Sequence, residues 1–326
     1  MQESSAAKLT DRVKIRELKR EELDEAELIV RQAFGTFFQV PNPEENPGEN
    51  QNITHRWIRN PQDVLAAELD GKLVGTNVLI QRGSFAYFGP LTVRPELWDS
   101  GIASKLMEAT EQIFKNWGVT RSGLFTFAES PKHLGLYHKF GYYPRFLSVL
   151  MSWEGDGSDK RVTNSNYVRF STGEEAEKRK YLAACQELTS GLYPGLDLSS
   201  EIKMVDDQKL GETLILLDGS SVSGFATCQS GPHTDAGKDK CSVKFAAAKM
   251  GSGSGKRLES LLSACKAFTQ ELGIKKLETG INLAHPDSFD LLLKSDFRIS
   301  FQGIKMLKPN APAYDRGDAY VLDDLR

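Results

Sequence analysis

Little in this chain of 326 residues departs from charge neutrality: 41 lysines and arginines stand against 44 aspartates and glutamates, a net charge of −3. With a pI near 6.0, that balance gives no electrostatic reason to expect nucleic acid or an anionic membrane as a partner. Long apolar runs are missing too. No stretch approaches a membrane span, and the amino end, MQESSAAKLTDRVK, lacks the basic-then-apolar profile of a secretory leader, so a cytoplasmic location is the expectation. Cysteine is scarce: the four, Cys185, Cys228, Cys241 and Cys265, fall in the second half without CxxC spacing or a histidine cluster beside them. They read as reduced structural thiols, and no metal is expected.

What the chain does have is length for two compact units, each with its own core, and an ordinary hydrophobic content of 40%. The stretch that organises it runs from Phe88 to Trp117. An apolar, β-prone run (Phe85 to Val93) breaks at Arg94-Pro95 and passes through the polar turn Asp99-Ser100-Gly101. Ile102, Leu106, Ala109, Ile113 and Trp117 then recur at the spacing of one helix face. Strand, tight turn, helix is the pattern. The first amides of a helix lack intrahelical partners and sit at the positive end of its dipole, which suits an anion such as a pyrophosphate. Gly101 and Ala103 would let a ligand approach those amides.

Elsewhere, Val13 to Leu18 alternates as a strand and Glu21 to Phe34 has helical spacing. A Pro/Asn/Gly-rich loop from Val40 to Asn52 follows Phe37 and Phe38, and loops of this kind are either lids or disordered. Val64 to Leu69 and Leu73 to Ile80 flank Asp70-Gly71 as a hairpin, Arg121 to Phe127 is a strand, and Pro131 to Phe140 is a short helix. Phe146 to Trp153 is expected to close this unit as its last strand, before a polar, glycine-rich linker from Glu154 to Arg161.

The plan then repeats. LDGKLVG (Leu69 to Gly75) is echoed by LDGSSVSG (Leu217 to Gly224), and Gly101-Ile-Ala103 by Gly253-Ser-Gly255. GSGSGK (Gly251 to Lys256) is not a nucleoside-triphosphate loop. That motif needs Gly at 250 and Ser or Thr at 257, where Met250 and Arg257 stand.

VRPELWDSGIASKL resembles the acyl-CoA-binding motif of the GNAT N-acetyltransferase superfamily, and LYHKFGY (Leu136 to Tyr142) resembles that family's second motif, Tyr-x-x-x-Gly-Phe/Tyr. Trp98 departs from the family's usual Arg or Gln. The resemblance implies two tandem GNAT-like folds of mixed α/β class, residues 1–156 and 157–326, each a mostly antiparallel mixed sheet flanked by helices, the second ending in a short tail. It implies acetyl-CoA as co-substrate, an amine of a small molecule or peptide as acceptor, and direct attack in a ternary complex. A non-catalytic acyl-CoA-binding or scaffolding protein is the alternative. Cofactor contacts are expected from Leu91, Thr92, Val93, Trp98, Asp99, Ser100, Gly101, Ile102, Ala103, Ser104, Ser130 and Tyr137. Tyr137 matches the general acid that protonates the leaving thiolate. Glu129 is the first candidate for general base, with His133 and a water chain as alternatives, and Phe37, Phe38 and His55 are candidate acceptor-lining residues. The second half replaces Tyr137 with Leu292 and Gly141 with Asp296, so it is expected to be catalytically silent.

Overall fold

The computed structural model describes residues 9–45, 53–155 and 167–323. In the first half come β1 (Val13–Glu17), α1 (Leu23–Phe37), α2 (Thr54–Arg59), β2 (Val64–Leu69), β3 (Lys72–Arg82) and β4 (Phe85–Val93). They are followed by α3 (Ile102–Asn116), β5 (Arg121–Thr126), α4 (Pro131–Lys139) and β6 (Tyr143–Glu154). The second half begins with β7 (Tyr167–Arg169), α5 (Glu175–Leu192), α6 (Ser199–Asp207), β8 (Gly211–Asp218), β9 (Ser221–Gly231) and β10 (Gly237–Ala248). It ends with α7 (Ser254–Glu271), β11 (Lys276–Asn282), α8 (Pro286–Lys294), β12 (Arg298–Lys308) and β13 (Val321–Asp323). The expected boundary at 156/157, most of the linker and residues 46–52 of the lid lie outside the described residues. Among those described, no helix is long and apolar enough to cross a membrane.

The sequence repeat is also a backbone repeat. Gly101 (φ 89) and Gly253 (φ 83) precede α3 and α7 in the left-handed conformation, and Gly141 (φ 85) is matched by Asp296 (φ 63) after α4 and α8. Asp tolerates that region because its short side chain adds little crowding there.

All thirteen strands form one sheet, ordered β1-β2-β3-β4-β5-β12-β6-β11-β10-β9-β8-β7 with β13 beside β10. Only β4–β5 and β10–β11 run parallel. The expectation that β6 closes the first unit is corrected: β12 of the second half lies between β5 and β6, and β6 lies between β12 and β11. Each half lends its last long strand to the join. An alternating pattern marks a strand but does not name its neighbour, since the edge that pairs is set by the rest of the fold. The expected tail is corrected as well, because it carries β13 into the sheet.

Successive residues of β4 and β5 serve opposite faces. Ala86, Phe88 and Leu124 pack under α3 and α4, while Phe85, Tyr87 and Phe125 face α1 in a core that continues to Ile202, Phe225, Phe245 and Tyr314 of the second half. At its centre lies buried charge. Arg82, on β3, donates to Glu201 at 2.6 and 3.1 Å and to Asp323 at 2.9 Å, joining one half to α6 and β13 of the other. Burial would raise the Glu201 pKa, but the charges of Arg82 and Arg56 prevail and hold it at about 2.

Candidate active site

β4 pairs with β5 only through Phe85–Tyr87 against Arg121–Gly123. Past Tyr87 it continues to Val93 along β3, with its register slipping between Asn77/Leu91 and Leu79/Phe88. The extra β4 residue is a bulge, which bends the strand. A slot opens between residues 88–93 of β4 and residues 124–126 of β5. The Arg94 amide donates to the Val74 carbonyl at 2.9 Å. Because backbone direction alternates along a strand, the main-chain groups of Leu91 and Val93 point away from β3, into the slot. Thr92, expected beside them, turns its backbone to β3, and its Oγ1 lies 3.0 Å from Thr76 Oγ1, so it braces the wall.

The turn after β4 is held by the residue that departs from the motif. Trp98 Nε1 donates to the Val93 carbonyl at 2.8 Å, and Ser100 Oγ donates to the Leu97 carbonyl at 2.5 Å. Asp99 (φ 62) and Gly101 (φ 89) are left-handed. The first bond of α3 runs from the Lys105 amide to the Gly101 carbonyl at 3.3 Å, which leaves the amides of Ile102, Ala103 and Ser104 without helical partners. The Ile102 side chain is buried in the core, so it offers a ligand only its amide. Lys132 Nζ lies 2.7 Å from Asp99 Oδ1 and 5.4 Å over the Trp98 ring, linking α4 to this turn. Among the described residues the amides of Ile102, Ala103 and Ser104 have no acceptor, and at the positive end of the α3 dipole they suit an anion.

Tyr137 lies on α4 with its ring 5.7 Å from Phe88, the first β4 residue beyond the β5 pairing. It is 8% exposed, and burial pushes its pKa above the ordinary phenol value, so the hydroxyl keeps its proton at neutral pH. Ser130 is buried as the N-cap of α4, its Oγ accepting the His133 amide at 3.3 Å; this is a helix-capping role. Glu129 is exposed, in the turn before that cap.

Phe37 and Phe38 enter an aromatic cluster drawn from both halves. Phe37 stacks on Phe127 at 4.5 Å and on His133 at 5.1 Å, and Phe38 meets Phe127 at 5.3 Å and Phe301 of β12 at 6.3 Å. Phe38 remains 45% exposed. His55 is a correction: it does not join this cluster. It is 3% exposed, its carbonyl accepts from Gln208 of the second half at 3.0 Å, and burial with the charge of Arg56 lowers its pKa to about 3. A neutral imidazole sealed beneath the second half has no face toward an acceptor.

Phe127, Phe301 and Lys132 were not singled out by sequence. The run into Phe127 gave a strand but no role, and Phe301 reaches the site only through the strand exchange.

In the second half the matching slot is filled. β10 and β11 pair through Lys240–Val243 and Lys276–Thr279, then part, and β13 takes the vacated β10 edge with Phe245 to Ala247 opposite Asp323 to Val321. The Ala248 amide donates to the Tyr320 carbonyl at 3.1 Å, and the Tyr320 ring lies so near Gly255 that a Cβ there would sit 3.3 Å from it. A surface cavity of about 700 Å³ lies elsewhere on this half, between α5, the β8–β9 turn and Lys249-Met250. Glu177, Lys180, Glu187 and Lys249 line it, but none of the residues of the two sequence motifs does, so the first-half slot is the candidate site.

Residues 28–142 match the family described as Acetyltransferase (GNAT) family. No curated protein matches the chain. Among solved structures, a candidate acetyltransferase from Pyrococcus horikoshii is 17% identical with a TM-score of 0.69, over 96% of this chain and 95% of that one. A GCN5-related N-acetyltransferase from Sphaerobacter thermophilus is 14% identical with a TM-score of 0.61, over 93% and 97%. A tandem GNAT protein from the clavulanic acid biosynthesis pathway is 11% identical with a TM-score of 0.57, over 92% and 99%. At these identities the likeness is one of fold.

Proposed function

With residues 28–142 a GNAT acetyltransferase domain and the whole chain of tandem GNAT fold, we propose that it is an acetyl-CoA-dependent N-acetyltransferase acting on an amine of a small molecule or peptide. The observation that carries this is the junction at Phe88. There the slot opens, the backbone groups of Leu91 and the amide of Val93 face into it, the amides of Ile102 to Ser104 lack helical partners at the start of α3, and the Tyr137 ring lies 5.7 Å from Phe88.

In this reading the helix start holds the pyrophosphate, and the pantetheine arm adds to β4 as a short strand would, taking the main-chain groups of Leu91 and the amide of Val93. A slot amide near the thioester oxygen stabilises the charge that forms when an amine attacks. Tyr137 donates its proton to the departing sulfur. The second half supplies β12 to the sheet and Phe301 to the aromatic cluster, with its own slot closed by β13.

The test is release of free thiol from acetyl-CoA across a panel of amines, alongside the melting temperature with acetyl-CoA. Amine-dependent thiol release is expected. A raised melting temperature without turnover of any amine would favour the non-catalytic acyl-CoA-binding alternative.

A further inference from the structure

His133 stands one helical turn before Tyr137 on α4, so the two side chains project from the same helix face. Its ring is half-buried, 5.1 Å from Phe37 and 5.7 Å from Phe127, and is the one titratable member of an aromatic cluster otherwise made of phenylalanines. Among the described residues neither ring nitrogen has a hydrogen-bond partner. Burial and Lys132 lower its pKa, Glu129 opposes them, and the elements packed on it, α1 and the end of β5, present only Phe37 and Phe127. The imidazole is therefore neutral at pH 7 and able to accept a proton.

Resting on the acyl-transfer reading above, we propose that the cluster of Phe37, Phe38, Phe127 and Phe301 is the acceptor site, that the acceptor is a primary amine carrying an aromatic or aliphatic group, and that His133 is its general base. An ammonium cannot attack, so His133 first takes one proton from it. The free amine then attacks the thioester carbonyl carbon, forming the C–N bond. Collapse of the tetrahedral intermediate breaks the C–S bond, and the sulfur takes the proton of Tyr137. The nitrogen loses a second proton, which restores the Tyr137 hydroxyl, and His133 releases the first proton to solvent. The acceptor's apolar group would cover Phe38, which is 45% exposed.

The experiment measures acetyl transfer from acetyl-CoA to 2-phenylethylamine and to spermidine, with pH profiles of kcat/KM for wild type, His133→Gln and Glu129→Gln. The expected preference is at least about tenfold for 2-phenylethylamine. His133→Gln should lower kcat on the order of 10²-fold and erase the acidic limb of the profile, while acetyl-CoA still raises its melting temperature. Glu129→Gln should keep that limb. A limb that survives His133→Gln or vanishes in Glu129→Gln overturns the base assignment, and a preference for spermidine overturns the acceptor class. Stabilisation by acetyl-CoA with neither amine acetylated also overturns the acceptor class but leaves the cofactor site standing. Loss of stabilisation in wild type would instead refute the acyl-CoA reading itself.

Discussion

The Tyr320 carbonyl accepts the Ala248 amide at 3.1 Å, in the place where the first half turns the Val93 amide into the slot between β4 and β5. One half has thus closed with its own chain the edge that the other leaves unpaired and that we propose holds the cofactor. Isothermal titration with CoA should therefore give a stoichiometry near one per chain. Two equivalents bound with comparable affinity would mean that β13 does not block the second slot.

The two left-handed glycines before α3 and α7 give a pair of variants, although a Cβ at Gly101 would sit 2.9 Å from Thr10 Cγ2 and one at Gly253 no nearer than 3.7 Å to Arg257. A side chain at either position costs on the order of 1–3 kcal/mol through its positive φ, so both Gly101→Glu and Gly253→Glu should melt lower than wild type. The change with ligand separates them. At 100 times Kd, bound acetyl-CoA stabilises the fold by about 2.7 kcal/mol, and this increment should persist in Gly253→Glu and vanish in Gly101→Glu, where a carboxylate meets the pyrophosphate. Equal increments in both variants would remove the ligand from the first-half turn.

Two buried histidines make the fold sensitive to mild acid. Burial, with Arg56, lowers His55 to about 3, and burial, with Lys305, lowers His285 to about 4. Between those values and about 6.5 the unfolded chain binds protons that the folded chain does not, so stability is full above pH 6.5 and falls as pH drops. Each histidine should cost about tenfold in the folding equilibrium per pH unit over that window. Glu201, held at about 2, acts only below the ordinary carboxylate range. Urea midpoints at pH 5 and pH 7.5 check this, and equal midpoints would refute it.

The exchanged strands make the halves interdependent. A fragment of residues 1–156 loses β12, which strips β5 and β6 of a shared neighbour and leaves both edges open. Such a fragment should aggregate or be inactive, and size-exclusion chromatography with a thiol-release assay decides. A monomeric, active fragment would mean that the exchange is dispensable.

What could be read from the sequence was what is local. The turn at Asp99 to Gly101 and the face from Ile102 to Trp117 announce a strand, a turn and a helix within one stretch, and the structure places α3 there. The repeat was legible because the same backbone need recurs at Gly101 and Gly253. Partnership was not. β6 carries the apolar run of any buried strand, and nothing within it says that Val149 stands opposite Gln302 of the other half. β13, at three residues, is too short to carry a pattern. His55 is a candidate because the resemblance puts the region between the first two helices at the acceptor site, but in the structure it is buried, its carbonyl bonded to Gln208 of the second half.

The central claim is that Tyr137 acts as the acid in a slot that binds acyl-CoA, and Tyr137→Phe tests it most directly because one hydroxyl is lost while the ring stays against Phe88. With an accepted amine, kcat should fall roughly 10- to 100-fold with the KM for acetyl-CoA nearly unchanged, and His138→Ala, one position round the helix, should change little. An unaltered kcat in Tyr137→Phe, or a larger loss in His138→Ala, would contradict the assignment.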